Sequence, residues 1–273
     1  MIKMIALDLD NTLLMEDKTI PDFVKDALRQ AADRGVLVVI ASGRMYPAAR
    51  AYANELGTGA PVVSCNGADI RDGDGSVIFN GGFDAESLKK ILRLCSREDI
   101  YAQLYWNDSI VVEKWTKWTE AYPDAHRFPV IETGSWLDLM EGRTVGMEVL
   151  PSPKALLVAE PEEIEGIMER VKNEMGDMVS LTRSADTYIE VLRNGVSKRE
   201  GLKVLAERFG IDRSEVMACG DNLNDLEMVS WAGVGVAVAN AVPQLKEAAA
   251  YVARGERSQG VAEAVRKYVL EAE

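Results

Sequence analysis

Short apolar runs alternate with amphipathic segments of helix length over the first 65 residues, and this alternation constrains the fold more than any other feature. The pattern predicts buried strands over residues 4–9, 36–41 and 61–65, with helices over residues 21–34 and 46–56 between them. Strands that alternate with helices favour a parallel sheet built from right-handed crossovers. The start of the chain therefore predicts a doubly wound α/β fold.

The alternation is interrupted in the middle of the chain and later resumes, which predicts one domain inserted into another. Residues 72–75 (DGDG) separate two apolar stretches and indicate a β-hairpin. The following segment is less regular, until the strand and helix alternation returns near residue 198. We therefore expect a core of residues 1–82 and 188–273 and an inserted α+β domain of residues 83–187, with candidate hinges at residues 81–82 and 188–194.

The same periodicity predicts further elements on both sides of the second boundary. In the inserted segment we expect helices over residues 85–96 and 160–175 and strands over residues 102–105 and 110–113. After it we expect helices over residues 198–209, 225–231, 242–249 and 260–270 and strands over residues 215–219 and 234–238.

Charge and cysteine content restrict the partners and the compartment. The 273-residue chain has a formal net charge of -13, which argues against nucleic acid, because binding a phosphate backbone requires a basic surface. Its three cysteines lack metal-ligand spacing and favour a reducing compartment. The N-terminus does not resemble a signal peptide, and no apolar stretch reaches the length of a membrane span. We expect a cytoplasmic protein without a membrane partner; its oligomeric state is open.

The only histidine, His126, excludes several kinds of catalysis. Serine and cysteine hydrolases need a histidine base, and zinc enzymes need several ligands of this kind, so a surface or packing role is favoured for His126. Catalysis should rest on carboxylates and lysine. The inserted segment contains four of the five tryptophans, for which we favour an aromatic core over a substrate-stacking wall: Trp106, Trp115, Trp118 and Trp136.

Two acidic clusters follow predicted strands at opposite ends of the chain. Asp8 and Asp10 end the first apolar run, and residues 220–225 (GDNLND) follow another. The carboxyl ends of parallel strands form the ligand-binding edge of an open α/β sheet, so the clusters should meet there. Two carboxylates about 4 Å apart repel by roughly 4 kcal/mol at an effective dielectric constant near 20. Their convergence therefore favours a bound cation, and oxygen ligands favour Mg²⁺.

The spacing of these residues suits phosphoryl transfer. Side chains at positions i and i+2 of an extended chain face the same side, so Asp8 and Asp10 can face one phosphoryl group. A carboxylate can attack phosphorus when a metal offsets the charge and a second acid protonates the leaving oxygen. Ser42 offers a hydroxyl donor, Lys198 a cation and Asp221 a further metal ligand.

Four motifs in order resemble the haloacid dehalogenase superfamily, and within it the Cof-like branch of sugar-phosphate phosphatases. The motifs are residues 8–13 (DLDNTL), residues 42–44 (SGR), Lys198 and residues 220–225. Residues 65–68 (CNGA) and 195–198 (GVSK) are similar to segments of this branch. The resemblance covers nearly the whole chain and implies a Rossmann-like core with a large inserted α/β cap.

This resemblance implies a role for each matching residue. Asp8 would be the nucleophile that forms an aspartyl-phosphate, and Asp10 the general acid and base. Lys198 would offset charge on Asp8 and bind phosphoryl oxygens. Mg²⁺ would be bound by Asp8, the main-chain carbonyl of Asp10, and Asp221, with Asn222, Asn224 or Asp225 in the outer shell. The phosphate and the substrate would contact Ser42, Gly43, Arg44, Asn66, Lys198 and Asn224.

One departure and several alternatives remain. Asn11 stands where the family has glycine, and asparagine tolerates left-handed backbone geometry better than most residues. Ser42 could instead cap a helix, and for Asn240 a capping role is favoured over one near the site. We expect a Mg²⁺-dependent phosphatase of a small phosphorylated metabolite, with a sugar phosphate favoured. Alternatives are a phosphotransferase or mutase using the same intermediate, a non-catalytic sensor, or a phosphatase of lipids, nucleotides or cofactors.

Overall fold

The structure is a computed structural model that describes residues 1–122, 124–143 and 152–271. The chain divides into two compact units, and each has its own apolar core. The first unit comprises Met1–Phe79 and Ser197–Glu273, and the second comprises Asn80–Val196.

The elements of both units are numbered here along the chain. The strands of the described residues are β1 (Met4–Leu7), β2 (Leu37–Ala41), β3 (Val62–Ser64), β4 (Asp69–Arg71), β5 (Val77–Asn80), β6 (Tyr101–Trp106), β7 (Ser109–Val112), β8 (Val130–Glu132), β9 (Ala155–Val158), β10 (Val179–Ala185), β11 (Tyr188–Arg193), β12 (Val216–Gly220), β13 (Val234–Ala237) and β14 (Tyr251–Val252). The α-helices are α1 (Asp22–Asp33), α2 (Tyr46–Leu56), α3 (Ala85–Arg97), α4 (Lys117–Ala121), α5 (Trp136–Met140), α6 (Ile164–Met175), α7 (Lys198–Phe209), α8 (Leu226–Trp231), α9 (Pro243–Ala248) and α10 (Arg257–Val265).

The sheet of the first unit runs in the order β14-β13-β12-β1-β2-β3-β4-β5. Its strands from β14 to β3 are parallel, and β4 is antiparallel to β3. The central strand β1 pairs with β2 on one side and β12 on the other, with Leu7 opposite Ile40 and Cys219. The carboxyl ends of three strands therefore lie side by side at one edge of the sheet.

The central strands β1 and β12 carry no polar side chains because both of their faces are buried. All residues of β1 and β12 are buried, as expected for a parallel sheet covered on both faces. Helix α1 packs on α10 and α2, while α8 packs on α7 and α9. This arrangement confirms the doubly wound, Rossmann-like α/β prediction. The hairpin prediction is also confirmed, because β4 and β5 are neighbours in the sheet and Asp72 N donates to Ser76 O.

The second unit is an α+β insertion, as predicted. Its described strands form a sheet in the order β10-β11-β9-β6-β7-β8, in which β7 and β8 are parallel and the other pairs antiparallel. Its core combines residues of α3, α5 and α6 with apolar sheet residues such as Leu157 and Ile189. The segment 188–194 was expected to be a linker and candidate hinge, and this expectation is wrong for its first six residues. They form β11, which pairs on both sides, so the compact unit extends to Val196.

The remaining expectations about packing residues are largely met. All three cysteines are buried, as expected for packing residues. His126 is exposed and contacts Glu120. The aromatic-core prediction is correct for Trp136, which is buried, and for Trp106, which packs against the same core, but not for Trp115, which is 40% exposed. None of the described helices has the length and apolar character needed to cross a membrane.

Candidate active site

The loop after β1 carries the first pair of acidic residues. Asp8 continues the ladder by donating its main-chain N–H to Cys219 O at 3.1 Å, and its side chain is buried. The chain then turns tightly, with Leu13 N donating to Asp8 O at 3.2 Å. Asn11 adopts φ 59°, so asparagine accepts the left-handed conformation here, as predicted.

Lys198 joins the two ends of the chain at the start of α7. Its ammonium lies 2.6 Å from Asp8 Oδ1 and 2.6 Å from Asp225 Oδ1, and its side chain is fully buried. Burial alone would lower the pKa of Lys198, but the Asp225 and Asp8 carboxylates hold this pKa above its ordinary value. The side chain is therefore a fixed cation beside Asp8.

Asp225 orients the second acidic loop. Its Oδ2 accepts hydrogen bonds from Asp221 N at 3.0 Å and Asn222 N at 3.2 Å, while its Oδ1 faces Lys198. The close approach requires Gly220, because a Cβ at this position would overlap the side chain of Asp225. Asn222 accepts a hydrogen bond from Leu223 N at 2.8 Å and begins the turn. Asp225 and Asn222 thus shape the loop that presents Asp221.

The acidic side chains form a cluster that fits a cation. Carboxylate oxygens of Asp8, Asp221 and Asp225 all lie within 4.8 Å of one another. Burial and the neighbouring Asp225 raise the pKa of Asp221 to about 7, and burial raises the pKa of Asp8 well above its ordinary value. Among the described residues, the Lys198 ammonium contacts two of these three buried carboxyl groups, those of Asp8 and Asp225. The donor set is made of hard oxygens with excess negative charge, which suits Mg²⁺.

Asp10 lies outside this cluster, between two cations. Arg44 donates from Nε to Asp10 Oδ2 at 2.7 Å and from Nη2 to Oδ1 at 2.8 Å, and Lys18 Nζ lies 2.8 Å from Oδ1. Burial would raise the pKa of Asp10, but Arg44 and Lys18 together hold it well below its usual range. The structure thus places Arg44 against Asp10, whereas the sequence suggested a position facing the substrate.

The predicted phosphate-binding residues also converge. Ser42 is buried, and its main-chain oxygen accepts from Asn66 N at 3.0 Å. Asn66 Oδ1 accepts from Asn224 Nδ2 at 3.3 Å, and a Cβ at Gly43 would lie 3.1 Å from Asn66 Oδ1. Asn66 is in the left-handed region at φ 53°, and its buried Nδ2 has no hydrogen-bond partner among the described residues.

Sequence reasoning missed two residues that shape the site, Thr12 and Lys18, and favoured the wrong role for a third, Asn240. Thr12 Oγ1 donates to Asp221 Oδ1 at 2.9 Å, and Lys18 pairs with Asp10. Asn240 was favoured as a helix cap, which is wrong, because α9 begins after Val242. Instead, Asn240 Nδ2 donates to Asn11 O at 2.8 Å. The position of Asn240 was the available signal. Asn240 lies two residues before the helix predicted to begin at residue 242, whereas an N-cap directly precedes its helix.

Comparison with known proteins agrees with this arrangement. A family model described as haloacid dehalogenase-like hydrolase matches residues 5–265. The 5-amino-6-(5-phospho-D-ribitylamino)uracil phosphatase YcsE of Bacillus subtilis is 30% identical over 272 residues, which cover 98% of this chain and 96% of the relative. The HMP-PP phosphatase of Yersinia enterocolitica is 27% identical over 250 residues, which cover 90% of this chain and 87% of the relative.

A solved structure supports the same assignment. A haloacid dehalogenase-like hydrolase from Bacteroides thetaiotaomicron superposes with a TM-score of 0.86 at 27% identity, covering 98% of this chain and 99% of that chain. The chain belongs to the haloacid dehalogenase-like hydrolase family. Within it, the enzyme class is that of a phosphatase, a phosphoric monoester hydrolase.

Proposed function

We propose that the protein is a cytoplasmic, Mg²⁺-dependent phosphatase that hydrolyses a small phosphorylated metabolite, such as a sugar phosphate, through a phospho-aspartate. The observation that carries this proposal is the buried contact of Lys198 with Asp8 and Asp225, beside Asp221. Burying several charged groups costs desolvation free energy, and such clusters are typical of functional sites. This cluster places a nucleophile next to a fixed cation. The three cysteines are buried thiols, which fits a reducing compartment.

Asp8 and Asp10 divide the chemistry between them. A carboxylate oxygen of Asp8 attacks phosphorus, the bond from phosphorus to the leaving oxygen breaks, and Asp10 gives a proton to that oxygen. Arg44 and Lys18 favour the ionised form of Asp10, so Asp10 acts as the acid only after Arg44 has released Oδ2 and this oxygen has taken up a proton. In the second step Asp10 takes a proton from water, whose oxygen attacks the phospho-aspartate. The bond between phosphorus and the Asp8 oxygen breaks, so inorganic phosphate leaves and Asp8 is restored.

Mg²⁺ would be bound by Asp8, Asp221 and the main-chain carbonyl of Asp10. When bound, the ion supplies positive charge that offsets the carboxylates and the phosphoryl group. Asp225 already uses both oxygens within the protein, so we assign it, with Asn222, to orienting Asp221. Thr12 holds the Asp221 carboxylate in place by donating to one of its oxygens.

The phosphoryl oxygens would contact donors on the loops after β2 and β12 and at the start of α7. Ser42, Gly43, Lys198 and Asn224 are the candidates, and the buried Nδ2 of Asn66 is a further donor. An uncompensated buried N–H costs roughly 1–3 kcal/mol, which a bound anion would recover. Arg44 would turn from Asp10 towards the substrate, which frees Asp10 Oδ2.

Substrate choice is assigned to the inserted unit. The curated relatives act on small phosphorylated metabolites, namely a phosphoribitylamino uracil and HMP-PP by their names, and their chains align over nearly all of this one. We propose the same general class of substrate here.

The test is phosphate release from a panel of phosphorylated metabolites, with Mg²⁺ or with chelator. We expect the Asp8→Asn protein to lose at least about 10³-fold in turnover while keeping its circular dichroism spectrum and melting temperature. Asp33→Asn, on the exposed end of α1, is the matched control and should retain activity.

Turnover by Asp8→Asn at the rate of the unmodified protein would contradict the proposed nucleophile. Formation of an isomeric phosphate without phosphate release would instead identify a mutase or phosphotransferase. Tight binding of a metabolite without any turnover would identify a sensor.

A further inference from the structure

The turn after the first motif is built around a left-handed lysine. Met15 N donates to Thr19 O at 3.0 Å, and Lys18 N donates to Met15 O at 3.0 Å, which closes the turn. Asp17 Oδ1 accepts hydrogen bonds from the main chain and hydroxyl of Thr19. Lys18 itself has φ 63°, a conformation that is uncommon outside glycine, asparagine and aspartate. The turn is therefore ordered and keeps a lysine where glycine would fit with less strain.

This turn is also tied to the end of the chain. Two residues at the start of α10 contact it: Arg257 Nη2 lies 3.3 Å from Glu16 Oε1, and the Ser258 hydroxyl donates to Leu13 O. The backbone on both sides of Lys18 is therefore held by contacts that do not involve its side chain. The side chain is free to serve another purpose, and it points at Asp10.

Lys18 and Arg44 hold the carboxylate of Asp10 from two directions. Arg44 engages both oxygens in a forked contact, and Lys18 Nζ adds a second hydrogen bond to Oδ1 at 2.8 Å. The side chain of Asp10 is 38% exposed and that of Arg44 is 11% exposed. Arg44 thus contacts Asp10 on its buried side, and Lys18, which is 49% exposed, restrains it on the solvent side.

We propose that Lys18 is a positioning residue for Asp10: it binds Oδ1 and, once Arg44 has turned away, leaves Oδ2 as the oxygen that passes a proton to the leaving group. This inference rests on the proposed function, because it presumes that Asp10 is the general acid. Misplacement of a catalytic group by about 1 Å can cost about 100-fold in rate, so the loss of one of three contacts should be measurable.

The leaving group separates this role from a structural one. An alkyl phosphate releases an alcohol whose oxygen must be protonated as the bond breaks, whereas p-nitrophenol leaves readily as its anion. A defect in the position of Asp10 should therefore slow alkyl phosphates much more than p-nitrophenyl phosphate. The constant to compare is kcat/KM, since it reports the steps up to formation of the phosphoenzyme and excludes the later hydrolysis.

The experiment compares p-nitrophenyl phosphate with the fastest substrate among glucose 6-phosphate, ribose 5-phosphate and glycerol 3-phosphate. For Lys18→Ala we expect kcat/KM to fall about tenfold on the alkyl phosphate and less than about twofold on p-nitrophenyl phosphate. Lys18→Gly should behave like Lys18→Ala, and Lys18→Arg should recover most of the lost rate. Lys25→Ala is the matched control, because Lys25 is also a lysine paired with carboxylates, Asp22 and Glu55.

Three outcomes would overturn the positioning role. Equal losses on both substrates would indicate a general structural defect. Unchanged rates on both substrates would show that Asp10 is positioned without Lys18. Recovery by Lys18→Gly would mean that only the backbone of the turn matters. If the unmodified protein hydrolyses no alkyl phosphate, the proposed function itself fails, which is distinct from a defect confined to the Lys18 variants.

Discussion

A single residue, Lys198, connects the two acidic loops, because its buried ammonium contacts both Asp8 and Asp225. Removing one partner from a buried ion pair leaves charge without compensation and typically costs about 3–5 kcal/mol. We expect Lys198→Met to lower the free energy of unfolding by about that amount in chelator and to abolish turnover. Urea denaturation followed by circular dichroism measures the first effect, and phosphate release the second.

Lys25→Met provides the comparison for this prediction. Lys25 pairs with Asp22 and Glu55 at the surface, where water and salt screen an ion pair and leave it only a small contribution to stability. A loss of stability in Lys198→Met no larger than that in Lys25→Met would contradict the idea that Lys198 compensates buried carboxylates.

Residue types and their order predicted which side chains meet in the candidate site, but not how they pair. Asp8, Lys198 and Asp221 were expected together because each follows a strand or begins a helix at the same sheet edge. The contacts of Asp10 with Arg44 and Lys18, and of Asn240 with Asn11, depend on side-chain directions across loops. Neither periodicity nor turn chemistry encodes such directions, so these pairs had to come from the structure.

At the scale of elements, the loop after β3 is fixed by three consecutive left-handed residues, Cys65, Asn66 and Gly67. Gly67 has φ 96°, and a Cβ there would overlap the carbonyl oxygen of Ser197, the residue that caps α7. We expect Gly67→Ala to destabilise the protein by about 3 kcal/mol, because strain and a backbone clash add, and to reduce turnover by displacing Lys198. Thermal unfolding and phosphate release measure both effects.

Gly57→Ala is the matched control, because it introduces backbone strain at a left-handed position without a steric clash. Gly57 ends α2 with φ 74°, yet a Cβ there would meet nothing within 4 Å. The cost should be about 1 kcal/mol, with turnover unchanged. Equal destabilisation by both alanine substitutions would show that the packing of Gly67 against Ser197 contributes nothing.

Two helices with strong local end signals matched their predicted bounds. The predictions for residues 46–56 and 198–209 coincide with α2 and α7, which both end at a left-handed glycine, Gly57 or Gly210. By contrast, β10 was not predicted, because most of its residues are only partly buried and show no clear apolar period. Its position depends on pairing with β11, a tertiary contact rather than a local signal.

The acidic cluster lowers the stability of the whole core, and bound Mg²⁺ should restore this stability. Asp8, Asp221 and Asp225 place carboxylates within 4.8 Å of one another beside one lysine, so their mutual repulsion destabilises the folded state when no cation is bound. Ligands that bind only the folded state stabilise it by about 2.7 kcal/mol at 100 times Kd. We therefore expect Mg²⁺ to raise the melting temperature of the unmodified protein, as differential scanning calorimetry would show.

Asp221→Asn tests the same balance from the other side, because it removes one charge while keeping a similar shape and an oxygen for Thr12. In chelator at pH 8 this variant should be more stable than the unmodified protein by about 1 kcal/mol, since one repelling carboxylate is gone. With Mg²⁺ the order should reverse, because the variant loses a cation ligand. The same melting temperature for both proteins in chelator and in Mg²⁺ would show that Asp221 neither repels its neighbours nor binds the ion, and the assignment of the metal site would then fail.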